Sequence, residues 1–210
     1  MDLDVYLAEV EHAVSVVMTE IYREHEAVQR LQGELSALEA ATDDGYRRAD
    51  FFAMNPDLDD DGIGTAIHWD TYFGVDKERF HKKSDLQAML EKISAHEFSR
   101  SALCGNLLQY GKQGLSAQFG KHRTGCPEGR QIAGIAIHEV IWQGRNQALH
   151  WEDGTFSGAV SACFEQLIAN CGKEFAEYKQ RSLAYEIVQL LGWKTPDDFM
   201  RDMKLFMPQP

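Results

Sequence analysis

The chain has 210 residues, of which 44% are apolar and 26% are charged, values typical of a globular chain that buries a substantial core. Its net charge of −12 argues against a broad basic face that grips nucleic acid nonspecifically, although a small local basic site remains compatible with it. Acidic residues stand where a signal peptide would carry Lys or Arg, and no window approaches 18 uncharged apolar residues. We therefore expect a cytoplasmic protein without a membrane span.

Residues 1–42 are predicted to form one long helix. Apolar residues occupy ten of eleven successive heptad positions, and only Glu24 interrupts the series: Leu3, Leu7, Val10, Val14, Val17, Ile21, Val28, Leu31, Leu35 and Leu38. A period of 3.5 sustained over this length indicates a helix whose seam packs on another helix. The partner helix can belong to the same chain or to a second subunit. The length of the seam favours a dimer.

Residues 43–83 are predicted to be an irregular insertion, beginning where Asp43-Asp44-Gly45 ends the helix. The segment is rich in aromatic, glycine and acidic residues, and no helical or strand period runs through it. We expect one or two short elements within it.

One acidic run in the insertion resembles the start of a calcium loop. Asp57, Asp59 and Asp61 match the first, third and fifth positions of an EF-hand loop, and Gly62 matches the sixth. The twelfth position, which should supply a bidentate Glu, is His68. The sequence therefore predicts calcium binding no better than the millimolar range at these three carboxylates, and no resident metal or cofactor.

Residues 84–210 are predicted to form a helical core, which makes the whole chain an all-α helical bundle. Ser84 is a plausible N-cap for the first helix of this core, which we expect to bend near Gly105 and Gly111. Pro127 is predicted to open the next helix, which carries a run of isoleucines up to about Gln147. The remaining helices are predicted over 156–171, 174–192 and 196–206.

A hexapeptide at the end of that isoleucine-rich helix carries the candidate chemistry: Arg145-Asn146-Gln147-Ala148-Leu149-His150. Arginine suits phosphate because its planar fork donates two hydrogen bonds and keeps its charge. Histidine both takes and gives a proton near neutral pH. Five residues on a helix is about 140° of rotation, so Arg145 and His150 meet only if the helix ends between them. Cations that complement the helix dipole are the simpler interpretation of the same residues.

The hexapeptide resembles the R-x(4–6)-H motif of the HEPN superfamily of helical nucleotide-binding proteins, in which a polar residue, often Asn, follows the Arg. Arg145, Asn146 and His150 match that motif, whereas Glu152 stands where one variant of it has Tyr. The resemblance implies catalytic roles for these three residues in a metal-independent endoribonuclease. It also implies a homodimer whose two motifs face each other across the interface.

Two functions therefore stand as expectations. The first is an endoribonuclease in which the RNA 2′-hydroxyl attacks phosphorus; family members of this kind often act as toxins or phage-defence effectors, restrained by an antitoxin or another regulatory protein. The second is a non-catalytic helical dimer that binds nucleotides or proteins as a scaffold, which the long heptad helix favours. RNA cleavage in the presence of a chelator distinguishes them.

Overall fold

Helices dominate the computed structural model, which describes residues 2–58 and 62–207. The helices are α1 (Leu3–Met54), α2 (Ile63–Thr71), α3 (Lys77–Phe119), α4 (Ile137–His150), α5 (Gly158–Cys171), α6 (Ala184–Leu191) and α7 (Pro196–Lys204). A hairpin of two very short strands, β1 (Gln131–Ile132) and β2 (Ile135–Ala136), precedes α4. The predicted all-α class with a long N-terminal helix is confirmed.

The chain divides into two compact units, one formed by Met1–Arg23 with Phe98–Pro210 and the other by Glu24–Glu97. The predicted boundaries at 42 and 83 do not coincide with these divisions. The first unit contains the main hydrophobic core, to which α1, α3, α4, α5, α6 and α7 all contribute buried side chains.

The part of α1 up to Arg23 packs into the core of the first unit through the predicted apolar seam. Leu3, Leu7, Val14 and Ile21 are buried there. The hydroxyl of Tyr6 donates to the backbone carbonyl of Tyr110 (2.9 Å), which fixes this end of α1 against α3. The seam over these residues is thus covered within the chain, and a dimer partner is not needed to bury it.

Helix α3 runs without a break past Gly105 and Gly111, where a bend was predicted. Both glycines are buried, and a Cβ added to Gly111 would lie only 3.0 Å from Ile141 Cγ2. The glycines therefore allow α3 to approach its neighbours closely, and a helix tolerates each of them at a cost of about 1 kcal/mol.

Pro127 does not open a helix, because α4 begins ten residues later at Ile137. The intervening residues form the β1–β2 hairpin, whose two turn residues, Ala133 and Gly134, both have positive φ. Ile132 and Ile135 pair directly across the hairpin, and both are buried. Their spacing fits one face of a helix and an inward-facing hairpin pair equally well, which explains the wrong prediction.

The second unit is helical where an irregular insertion was predicted. Helix α1 continues through Asp43-Asp44-Gly45 to Met54, and α3 already begins at Lys77, before Ser84. The irregular features over the described residues are a 3₁₀ turn (Pro56–Leu58) and a π-helical turn (Tyr72–Asp76). Exposed aromatic side chains are common in this unit: Phe51, Trp69, Tyr72 and Phe73. A helix with exposed apolar residues lacks the buried stripe that periodicity detects.

Glu24, the residue that interrupts the apolar seam, has a specific partner. Its carboxylate is hydrogen bonded to Nδ1 of His96 on α3, within the second unit. Val28 and Ile93, each one turn away, are buried. The seam continues to Val28 with a polar pair at one position; the side chains of Leu35 and Leu38 lie outside the described part of the structure.

Candidate functional site

Helix α4 carries the motif and is held in the first unit by its apolar face. Ile137, Val140 and Ile141 are fully buried. Gly144 lies on the same face, and a Cβ at this position would lie 2.9 Å from Ile187 Cγ2. Gly144 therefore serves the packing of α4 against α6, and it does not by itself mark a site.

Gln147, inside the hexapeptide, is a structural residue that sequence reasoning missed. Its side chain is fully buried and its Nε2 donates to the carbonyl oxygens of Tyr178 and Arg181, both at 2.7 Å. Its Oε1 accepts from the backbone N–H of Leu183 (2.9 Å). These bonds fix α4 to the chain that leads into α6, because an amide can satisfy three buried backbone groups at once.

Arg145 is half-buried and lies on the face of α4 that is turned toward α3. Its Nε donates to Oε1 of Gln109 on α3, and its Nη1 donates to Oδ1 of Asn146 (3.3 Å). Burial lowers the pKa of its guanidinium. Within residues 2–58 and 62–207, no carboxylate forms an ion pair with Arg145.

Lys112 is a second cation beside Arg145, and it was not predicted. Its ammonium lies over the ring of Trp142, with Nζ 4.9 Å from the ring centroid. Burial lowers the pKa of Lys112, and the nearby charge of Arg145 lowers it further. Like Arg145, it has no carboxylate partner among the residues that the structure describes.

Arg123 also reaches this face, but it is neutralised. Its guanidinium lies 4.6 Å from the Trp142 centroid, and its Nη2 forms an ion pair with Glu139 (2.8 Å). Its Nη1 lies 3.1 Å from Nδ1 of His138, which must accept because arginine only donates. Burial, then the charge of Arg123, lowers the pKa of His138 and keeps the ring neutral.

His150 is the last residue of α4 and leaves the helical conformation, with φ −132°. Its Nδ1 lies 3.3 Å from Oδ2 of Asp153, at the end of a 3₁₀ turn. This contact favours a proton on Nδ1 and leaves Nε2 available for proton transfer. Asp153 was predicted only as part of a turn, and an Asp-Gly pair carries no further signal in the sequence.

A pocket of about 320 Å³ opens beside this histidine. It is lined by Asn146, His150, Asp153, Thr155, Phe156, Ser157 and Val160. Two of the three predicted site residues therefore share one pocket. Arg145 does not line it among the described residues, and Asn146 links the two parts because it contacts Arg145 and faces the pocket.

The predicted calcium ligands are only partly described. Asp57 is exposed in the 3₁₀ turn Pro56–Leu58, whereas Asp59 and Asp61 lie outside the described residues. Over the described ranges, no three His, Cys, Asp or Glu side chains are grouped so as to hold a metal ion.

Cys104, Cys126, Cys163 and Cys171 are free thiols. Burial raises the pKa of Cys163 to about 12 and that of Cys126 to about 11, and it raises the pKa of Cys104 as well. A thiol needs to lose its proton to act as a nucleophile, so these groups are poorly suited to that role near neutral pH.

No protein-family model, curated protein or solved structure matches the chain. Within the described ranges, none of the helices is long and apolar enough to cross a membrane.

Proposed function

We propose that this protein is a metal-independent endoribonuclease whose site is formed by Arg145, Asn146 and His150, as the resemblance to the HEPN motif implies. The observation that carries the proposal is the continuity of the three side chains. Arg145 donates to Asn146, Asn146 lines a pocket with His150, and the Nδ1 of His150 lies 3.3 Å from Asp153. Helix α4 does not end between Arg145 and His150, as a direct meeting of the two would require; Arg145 faces α3, His150 faces the pocket, and Asn146 lies between them.

The reaction needs little from the protein beyond these groups, because RNA supplies its own nucleophile. The 2′-oxygen loses its proton and attacks phosphorus, so the 2′-O–P bond forms as the P–O5′ bond breaks and the 5′-oxygen gains a proton. The products are a 2′,3′-cyclic phosphate and a 5′-hydroxyl. No metal is required to generate the nucleophile.

Each residue has a role that its environment suits. His150 accepts the proton of the 2′-hydroxyl at Nε2 and returns a proton to the 5′-oxygen, because Nδ1 faces Asp153. Arg145 stabilises the charge that develops on the phosphoryl oxygens, and its lack of a carboxylate partner leaves the guanidinium available for that contact. Asn146 positions Arg145 through its amide oxygen and lines the same pocket as His150.

A homodimer is part of this proposal, since the resemblance implies that two motifs meet across an interface. Light scattering should give about twice the chain mass of 23.8 kDa. A toxin or phage-defence role, with an antitoxin or another regulatory partner, accompanies the resemblance as well. A monomer that still cleaves RNA would remove the dimer and retain the nuclease.

Cleavage of labelled RNA in EDTA tests the nuclease. Arg145→Ala and His150→Ala should each slow cleavage by at least ~100-fold, and Asn146→Ala by less. The matched controls are His122→Ala, an exposed histidine in the 120–125 loop, and Arg201→Ala, an exposed arginine of α7. DNA and RNA with a 2′-O-methyl group at the cut should not be cleaved. Folded site variants that cleave as well as the wild type would refute the site.

A non-catalytic scaffold is the second candidate, and the exposed aromatic residues of the second unit favour it. Trp69 and Phe73 stack on each other at 5.3 Å between centroids while each remains about half exposed. Aromatic side chains of this kind are enriched where proteins bind partners. If no RNA is cleaved by the wild type, the scaffold becomes the better interpretation.

A further inference from the structure

We propose that Lys112 and Arg145, on the facing helices α3 and α4, form a binding site for a phosphate group of the RNA backbone. Its identification with RNA rests on the proposed function, whereas the geometry and charge of the two side chains support a phosphate site independently of it.

Two contacts between the helices fix both cations. Gln109 and Lys112 are three residues apart on α3, and Trp142 and Arg145 are three apart on α4, so each pair shares one helix face. Gln109 accepts from Arg145, and Lys112 lies over Trp142. The two faces therefore meet, and the cations are held side by side.

The groups that hold these cations are neutral. A cation–π contact with Trp142 orients the ammonium of Lys112 without cancelling its charge and without using its hydrogen-bond donors. The amide of Gln109 occupies only Nε of Arg145. Over residues 2–58 and 62–207, Nη2 of Arg145 forms no hydrogen bond, so donors from both side chains remain available to a ligand.

Arg145 differs in this respect from three other arginines of the same unit. Arg123, Arg130 and Arg181 each form an ion pair with a carboxylate. The chain has 33 acidic residues against 21 basic ones, so carboxylates are in excess. Two nearby, half-buried like charges repel each other, and the charge of Arg145 lowers the pKa of Lys112 accordingly. A bound anion would offset this repulsion.

Phosphate is the ligand chemistry that fits. The planar fork of an arginine binds two phosphate oxygens, and a lysine adds a point charge to a third. Arg145 also contacts Asn146, which lines the pocket of His150. This continuity favours a backbone phosphate of a strand that passes from Lys112 to that pocket.

Binding of a fluorescent 2′-O-methyl RNA oligonucleotide, which lacks the nucleophilic hydroxyl, tests the site independently of cleavage. Fluorescence anisotropy at several salt concentrations should show that Lys112→Gln weakens binding about tenfold and lowers the salt slope by about 0.7, the value for one contact to a single strand. Lys112→Met serves as a second variant that preserves the packing on Trp142. Lys204→Gln, which removes an exposed lysine of α7, should bind like the wild type.

The outcomes are separable from those of the nuclease test. Lys112 variants that bind the oligonucleotide with wild-type affinity and salt slope would overturn the site, whether or not RNA is cleaved. If the wild type binds the oligonucleotide but cleaves no RNA, and the Lys112 variants lose that binding, the result would support the site and refute the nuclease. Titration with inorganic pyrophosphate and ATP forms the second arm: Lys112-dependent binding of these, with none of the oligonucleotide, would overturn the assignment to RNA.

Discussion

Arg130 and Arg145 lie in the same compact unit and have opposite surroundings. Arg130 donates from Nε and Nη2 to the two carboxylate oxygens of Asp202, at 2.8 and 2.6 Å, and this pairing raises its pKa. Asp202 is buried and also accepts from Nε1 of Trp193 (2.7 Å). Arg145 has an amide where Arg130 has a carboxylate, and burial lowers its pKa.

The difference separates a cation that stabilises the fold from one that is available to a ligand. The Arg130–Asp202 pair joins the segment before β1 to α7, and each partner satisfies the other. Arg145 contributes a charge that no carboxylate in the described residues balances. A protein retains such a charge at a cost in stability, which is typical of functional sites.

The largest expected effect is the loss of folding stability on removing Arg130, for which removing Arg145 is the comparison. Arg130→Met should lower the free energy of unfolding by about 3 kcal/mol, because it leaves the carboxylate of Asp202 buried without its cation. We take the lower end of the range because the Arg130 side chain is 40% exposed. Arg145→Met should change it by about 0.5 kcal/mol or less. Urea unfolding of the two variants measures both, and equal losses would contradict the comparison.

The sequence predicted the residues of the candidate site that lie close together along the chain. Asn146 and His150 share a pocket at the helix end where the motif was recognised. Lys112 and Gln109 could not be found in this way, because only the packing of α3 on α4 brings them to Arg145. Gln147 resembles a surface residue in sequence, and its burial depends on backbone groups near Tyr178 and Leu183.

The fold shows the same limit. The heptad period predicted α1. The helix extends beyond Leu38, where the period ends, as far as Met54. A regular spacing of apolar residues indicates a helix with one buried face. It therefore predicts helices whose apolar stripe is covered, and it does not detect helices with exposed aromatic residues such as Trp69. The hairpin before α4 was missed because Ile132 and Ile135 suit either structure.

A carboxylate placed beside Arg145 should convert its surroundings into those of Arg130. Gln109→Glu puts an acceptor of nearly the same size and shape against Nε of Arg145. We expect a gain of up to about 1 kcal/mol in the free energy of unfolding, and at least a tenfold loss of affinity for the 2′-O-methyl oligonucleotide. Gln189→Glu makes the same substitution at an exposed position of α6 and should do neither. Unchanged oligonucleotide binding in Gln109→Glu would mean that Arg145 is not part of the anion site.

The smallest expected effect is a shift in the pKa of His138, which lies beside Arg123. The surroundings of Arg123 are intermediate between those of Arg130 and Arg145, because Glu139 neutralises it and His138 accepts its hydrogen bond. The pKa of His138 is held below its usual 6.5 by burial first and by Arg123 second, while Glu139 and Glu128 oppose the shift. The folded state therefore favours the neutral ring. The stability that this ring contributes is complete above pH 6.5 and falls as the pH drops from there through the lowered pKa of the folded state. Titration of the ring resonance by NMR, assigned with His138→Gln, should give a midpoint below 6.5, and Arg123→Met should raise it because the cation is removed while Glu139 remains. A midpoint that does not move in Arg123→Met would show that burial alone sets the pKa and that Arg123 acts only on Glu139.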